Sequence, residues 1–282
     1  MPSPKSSVAA LPPSSRWIGL ALAVLLSACA VSTPEPQAAG TPFARRFAGL
    51  LPADAILLGE QHDAAEHHVL EFEAVDTLAS RRQLAALAIE MAEDGNGTAH
   101  LGATATEAQV QTALSWNEQA WAWRDYGAAV MAAVRAGVPV VGANLPRARM
   151  KDAMADVSLD AQLDEPARKA QQQAVREGHC NLLPETQIVP MTRIQIARDR
   201  AMAQAIVKAR VPGKTVLLIA GAGHVTKALG VPQHLPNDLS VKAVLLQAGE
   251  AGPNPAAFDA TWQTPPTPQK DYCATLRQQP RR

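Results

Sequence analysis

Aromatic side chains are scarce in this chain, 4% of 282 residues, and the only tyrosines are Tyr126 and Tyr272. Chemistry that needs a phenol therefore has two addresses. An excess of charge is absent as well, because 26 lysines and arginines balance 26 aspartates and glutamates. Nucleic-acid binders normally carry a basic stripe, so nothing favours that class. Cysteine occurs three times, without a Cys-x-x-Cys metal pattern. The lack of Cys-x-x-Cys-His excludes covalent haem attachment. A Gly-x-x-x-x-Gly-Lys phosphate loop is missing, and Gly221-Ala222-Gly223 lacks the third glycine of a dinucleotide fingerprint. No Gly-x-Ser-x-Gly elbow of a serine hydrolase is present. Long apolar runs are missing too: Trp17 to Leu26 falls short of the about 20 residues that span a bilayer.

What is present begins with an export signal. Lys5 and Arg16 precede that short apolar run, which ends in Leu26-Ser27-Ala28-Cys29. Residues 1–28 read as a signal peptide, and its end resembles a bacterial lipobox. Cys29 then becomes the acylated first residue of the mature protein. The alternative is an ordinary signal peptide with a chance cysteine. Ala30, in place of an aspartate, is compatible with the outer membrane, so the expected location is lipid-anchored and facing the periplasm. Residues 29–45, rich in Pro, Ala and Thr, form the linker. In an oxidising periplasm Cys180 and Cys273 read most simply as one disulfide, with two free thiols as the alternative.

Two stretches organise the rest. Ala55-Ile56-Leu57-Leu58 stops at Gly59-Glu60-Gln61-His62, and Val216-Leu217-Leu218-Ile219-Ala220 stops at Gly221-Ala222-Gly223-His224. Each apolar strand delivers a histidine at Gly-x-x-His spacing to the loop that follows it. Three further strands are expected: Leu84–Met91, ending on Glu90; Val138–Gly142, leading to Asn144 and Arg147; and Val241–Gln247. Helical periodicity fills 63–82, with Asp63 and Glu66 as a capping box, 104–137 in two segments, 151–177, and 191–210. Of His67 and His68, at least one is expected to face solvent. Trp116, Trp121, Trp123 and Tyr126 crowd one stretch, either as a core anchor or as a pocket wall. Arg198 lies in the apolar stripe of the last helix, where it meets an internal anion or reaches an edge. Beyond Gly249 the Pro-rich tail, 251–282, is expected to be extended or disordered apart from Cys273.

Strands alternating with helices predict an α/β fold with a mostly parallel central sheet flanked by helices. Ligands of such sheets sit beyond the carboxyl ends of the strands. Glu60, His62, Glu90, Asn144, Arg147 and His224 all fall there, which predicts one shared site.

These residues resemble the ChaN family of haem-binding lipoproteins. The likeness is carried by Leu58-Gly59-Glu60-Gln61-His62-Asp63 with His67-His68, by Glu90-Met91, and by Gly142-Ala143-Asn144-Leu145-Pro146-Arg147. Cys180 with Leu183-Pro184, Arg198-Asp199 with Met202-Ala203, and Ile219 to Val225 with Gly230-Val231-Pro232 extend it. The resemblance implies a haem-binding domain over 46–250, with a smaller inserted helical bundle within about 98–210. It implies noncovalent haem, taken up for its iron and passed to a haem transport system. In the family it resembles, two haems can stack face to face between two protomers and a tyrosine ligates the iron. The resemblance makes Tyr126 the better candidate here, with His62 or His224 in its place if neither tyrosine reaches. Arg147 or Arg198 would hold the phenolate charged or pair a propionate. The same segments are similar to the wider Tiki and erythromycin-esterase-like superfamily. That supplies a rival of another class: a metal-dependent hydrolase in which Glu60, His62, Glu90 and His224 act, with His62, His224 and Glu90 holding zinc or manganese. A lipoprotein whose polar strand ends only stabilise the sheet is the third reading.

Overall fold

A computed structural model of the protein describes residues 41–250, 255–268 and 270–278. The signal peptide, Cys29 and the linker as far as residue 40 lie outside the described residues. Strand β1 (Ala55–Glu60) is buried at every position, as an unbroken apolar run predicts for a strand covered on both faces. It sits inside a six-stranded sheet with β2 (Leu84–Glu93), β3 (Val140–Asn144), β4 (Thr215–Gly221), β5 (Val241–Ala248) and β6 (Ala260–Thr264), in the order β3-β2-β4-β1-β5-β6. Every pairing is parallel. The register sets Glu60 opposite Gly221, so the two Gly-x-x-His segments leave the sheet side by side.

Alternation along the strands divides the core in two. Ile56, Leu58, Leu87, Ile89, Leu217 and Ile219 face one side. That side is covered by α1 (Pro42–Ala48), α2 (Ala65–Ser80) and α4 (Trp123–Arg135), preceded by the short α3 (Glu107–Ala113). Ala55, Leu57, Ala88, Val216 and Leu218 face the other, against Met202 and Ile206. Those last two belong to α7 (Glu185–Ala209), which follows α5 (Met150–Ala155) and α6 (Glu165–Gly178). Each fully buried Leu or Ile contributes about 1.5–3 kcal/mol, which makes the three strands β1, β2 and β4 the anchor of the fold. The segment from α5 to α7 has a small core of its own, including Leu159, Leu163, Ile194 and Ile196; this is the inserted helical bundle. It follows β3, so the expected insertion over 98–210 includes one sheet strand.

Three local expectations are corrected. The tail is not merely extended: Ala260-Thr261-Trp262-Gln263-Thr264 adds β6 to the sheet edge, and α9 (Tyr272–Gln278) follows. β-branched and aromatic residues favour a strand there, and Pro265-Pro266 stops it. The N-cap of α2 is Ala64, without a side-chain cap, because Asp63 turns instead to Gln61, Lys270 and Tyr272. The last long helix begins at Glu185 rather than Met191 and runs through Pro190. Cys180 and Cys273 are joined in a disulfide, which ties α9 to the end of α6.

Candidate functional site

Each Gly-x-x-His segment makes room for the other. A Cβ on Gly59 would lie 2.2 Å from Val225 Cγ2, and one on Gly221 would lie 2.9 Å from His62 Nε2. Only glycine permits that approach. The second segment turns at once into the one-turn helix α8 (Ala222–Val225), which carries His224. Both imidazoles therefore arrive at one rim, over the end of β2.

Glu90 stands between them. Its Oε2 lies 3.9 Å from His62 Nε2 and accepts the Gly221 N–H at 2.8 Å. Its Oε1 lies 3.5 Å from His224 Nε2 and 3.9 Å from Arg198 Nη2. Each histidine is held from behind by a second carboxylate. His62 Nδ1 meets Glu60 Oε1 at 2.8 Å, and His224 Nδ1 meets Asp199 Oδ1 at 2.6 Å. Acid and base thus alternate as Glu60, His62, Glu90, His224, Asp199, from the ends of three neighbouring strands to α7, which carries Asp199. Asn144 Nδ2 donates to the Glu90 carbonyl and its Oδ1 accepts from Arg198 Nε at 3.0 Å, which fixes the arginine beside the chain of groups.

Burial would ordinarily neutralise such a row; here neighbours outweigh it. Burial lowers the His224 pKa, but Glu90 and Asp199 push it up to about 10. Burial raises Glu90, yet His224, His62 and Arg198 hold it well below the usual carboxylate range. His62 is raised in spite of burial by its bond to Glu60 and by Glu90, with His224 opposing. Asp199 is raised by burial, an effect that His224 only partly offsets. The neighbours thus favour the charged forms of Glu90 and of both histidines, whereas burial works against the charge on Asp199.

The structure moves Tyr126. Its ring is 3% exposed, and its hydroxyl donates to Glu60 Oε1 at 2.9 Å. Burial, then Glu60 and Glu71, push its pKa far up. The cation expected beside this phenol is replaced by carboxylates, so Tyr126 braces Glu60 from below and is not poised as an iron ligand. Arg198 serves Glu90 and Asn144 instead. Arg147 is exposed on the turn after β3, where its backbone N–H donates to Glu93, and it takes no part in the site. Tyr272 is the accessible tyrosine, 56% exposed, with its hydroxyl on Asp63 next to His62. That bond, with some burial, pushes its pKa up to about 12, while Asp63 falls to about 2. Lys270 also pairs with Asp63, at 3.1 Å.

The tryptophan cluster fills both roles that the sequence leaves open. Trp123 and Tyr126 are core, while Trp121 packs edge-on against His62 with ring centroids 4.8 Å apart. Neither His67 nor His68 faces solvent. His67 accepts from the Gln61 N–H and meets Thr264, and burial lowers its pKa to about 4. His68 turns toward Glu60 and Glu71. The hydrolase reading's metal set is likewise not assembled. Among the described residues His62, His224 and Glu90 do not gather on one point, whereas Glu60, His68 and Glu71 do. Sequence reasoning missed Asp199 and Glu71. Glu71 had a signal, since it lies three, four and seven residues before the buried Ala74, Val75 and Leu78.

Fold and site together define an all-parallel α/β protein with an alternating acid–base row at its strand ends. The model of the haem-binding uptake family ChaN, of the Tiki superfamily, matches residues 47–235, and the chain belongs to that family. ChaN of Campylobacter jejuni, a structure of cofacial heme binding, is similar with a TM-score of 0.63 and 25% identity, over 74% of this chain and 88% of that one. The type III effector HopBA1 is similar at 0.40 and 18% identity, over 74% and 83%. RRSP, a MARTX toxin effector domain from Vibrio vulnificus CMCP6, is similar at 0.44 and 13%, over 74% and 36%. The last two likenesses are too loose to carry an argument. A search of curated proteins returns no match.

Proposed function

We propose that this protein binds haem noncovalently for haem or iron uptake, as a lipoprotein anchored by Cys29 in the outer membrane and facing the periplasm. Family membership supports haem as the ligand, and cofacial binding in the Campylobacter jejuni protein supports two copies closing around stacked haems. A haem transport system would take the cargo on. The single observation that carries the reading in this chain is the rim itself. His62, 39% exposed, meets Trp121 edge to face, and Asp63, the residue after His62, accepts a hydrogen bond from the phenol of Tyr272. A flat apolar ligand needs such rings, and haem brings a ferric centre that favours an anionic oxygen ligand. Tyr272 is the exposed phenol that would supply it: coordination would have to displace the proton that it now donates to Asp63, and Lys270 on the same carboxylate would help to balance the charge. Glu60 and Tyr126 keep His62 oriented.

Titrating the haem-free full chain with haemin tests this. A saturable Soret shift is expected. Tyr272→Phe should weaken binding by at least the about 10–100-fold that loss of even an outer partner costs a metal site, whereas Tyr126→Phe should keep it. No saturable shift in the wild-type protein would reject the reading. Loss with Tyr126→Phe but not with Tyr272→Phe would return the ligand to the buried tyrosine.

A further inference from the structure

A second group of donors lies below the rim, on the side of Glu60 that the acid–base row does not use. Glu60 comes from the end of β1, and His68 and Glu71 from one face of α2, three residues apart and so one turn along the helix. His68 Nδ1 lies 3.5 Å from Glu60 Oε2 and 3.3 Å from Glu71 Oε2. The donor atoms of all three residues fall within 4.8 Å of one another. Zinc holds N and O ligands at about 2.0–2.2 Å in a tetrahedron, which sets those ligands about 3.3–3.6 Å apart. The two measured separations match that spacing.

Two buried atoms here also have no hydrogen-bond partner, Glu60 Oε2 and Glu71 Oε1. The side chains that bear them are almost wholly inside, Glu60 at 2% exposure and Glu71 at 0%. An unsatisfied buried carboxylate oxygen is expensive, and a pair of them facing one imidazole is a feature that a cation removes. The other oxygen of Glu60 is already committed to His62 and Tyr126. Nearby cationic help is slight, since His62 is shared with Glu90.

We propose that Glu60 Oε2, His68 Nδ1 and the Glu71 carboxylate form a site for one divalent first-row transition ion of the zinc or manganese class. Two carboxylates and one neutral imidazole suit such an ion, and two negative charges would neutralise it within the core. This set shares only Glu60 with the rim and needs neither His224 nor Glu90. Through Glu60 the ion would be tied to His62, because one carboxylate would ligate with Oε2 and orient the imidazole with Oε1. The rival account is a proton shared between Glu60 and Glu71, which would satisfy the same two oxygens.

Glu71→Gln separates the two. Glutamine reproduces a protonated carboxyl in shape and donor capacity, so the shared-proton account expects a stable variant and no metal in either protein. The ion account expects the full chain, prepared without a histidine tag, to retain about one Zn2+ after exhaustive dialysis against metal-free buffer. Elemental analysis reads this, and Co2+ in its place should give visible d–d bands. Glu71→Gln and His68→Asn should each lower the retained ion at least tenfold, and His100→Ala, on the exposed surface, should leave it unchanged. Zn2+ should also raise the melting temperature of the wild type and not of Glu71→Gln, a readout that needs no haem. An absence of retained or stabilising ion in the wild type, or an ion kept by both Glu71→Gln and His68→Asn, overturns the proposal.

Discussion

The two ends of the acid–base row are built from the same motif and have opposite fates. His224 is 12% exposed, is gripped by Asp199 and Glu90, and rides on a one-turn helix packed into the second core. His62 is 39% exposed, sits on a turn, and has Trp121 against one edge. Both follow a glycine at the end of an apolar strand and both look at Glu90. The difference comes from what lies behind each loop: α7 brings Asp199 over the second, while the first is met by Trp121, ahead of α4, by His67 of α2 and by the tail. One imidazole is thus a structural cation and the other is the open face of the site.

Mutation should expose that asymmetry, and the largest effect belongs to the buried end. His224→Ala leaves Asp199 and Glu90 in the core without their shared cation, which should cost about 3–5 kcal/mol. His62→Ala leaves Glu60 with Tyr126 and should cost about 1 kcal/mol. Denaturant unfolding at pH 7 measures both, and equal losses would dissolve the distinction.

The pH dependence sharpens the same contrast. His224 is raised from 6.5 to about 10 on folding. Its contribution is fully present below about 6.5 and is lost as pH climbs toward about 10. Wild-type stability should therefore fall across that window, by at most about 1.4 kcal/mol per pH unit for one group. His224→Gln should flatten this decline, whereas His62→Gln should leave most of it. Unfolding midpoints at pH 6, 8 and 10 decide the matter.

A smaller loss is expected below the rim. Tyr126→Phe removes one donor to an ionised carboxylate, which is worth about 1.5–3 kcal/mol. It should leave haemin binding in place, and chemical denaturation beside the Soret titration separates the two roles.

Much of this arrangement could be read from residue order, because parallel strands put their carboxyl ends at one edge. The apolar runs ending at Gly59, Glu90, Asn144 and Gly221 therefore fixed the neighbourhood of Glu60, His62, Glu90 and His224 before any geometry. Arg198, an arginine inside an apolar stripe, left an internal anion or an edge position open, and it lies 3.9 Å from the buried Glu90 while bonding Asn144. What could not be read was depth. Tyr126 looked available because Trp-x-x-Tyr does not say which face of α4 meets the sheet. Arg147 looked close because a strand end and the turn beyond it are adjacent in sequence, yet the chain has already turned outward by that residue. Tyr272 was hidden for another reason: its place depends on β6, a short edge strand among prolines, and on the disulfide to Cys180. Long-range closure of that kind leaves no periodic trace.

The glycines give the finest test, since each motif's glycine is cut to fit the other motif. Gly59→Ala would drive a methyl into Val225, which is fully buried against the second core. Neither backbone can yield without moving β1 or α8, so a cost of about 1–3 kcal/mol is expected. Gly221→Ala meets only the tip of the half-exposed His62 ring, which can swing outward. Its stability cost should stay below about 1 kcal/mol, while the displaced imidazole changes the rim and weakens haemin binding. The two substitutions are chemically identical and lie one register step apart across β1 and β4, where Gly59 pairs with Ala220 and Gly221 with Glu60. Gly59→Ala should therefore lose stability more than affinity, and Gly221→Ala affinity more than stability. If both mutants lost stability alike and kept the wild-type haemin titration, His62 would be as much a part of the core as His224.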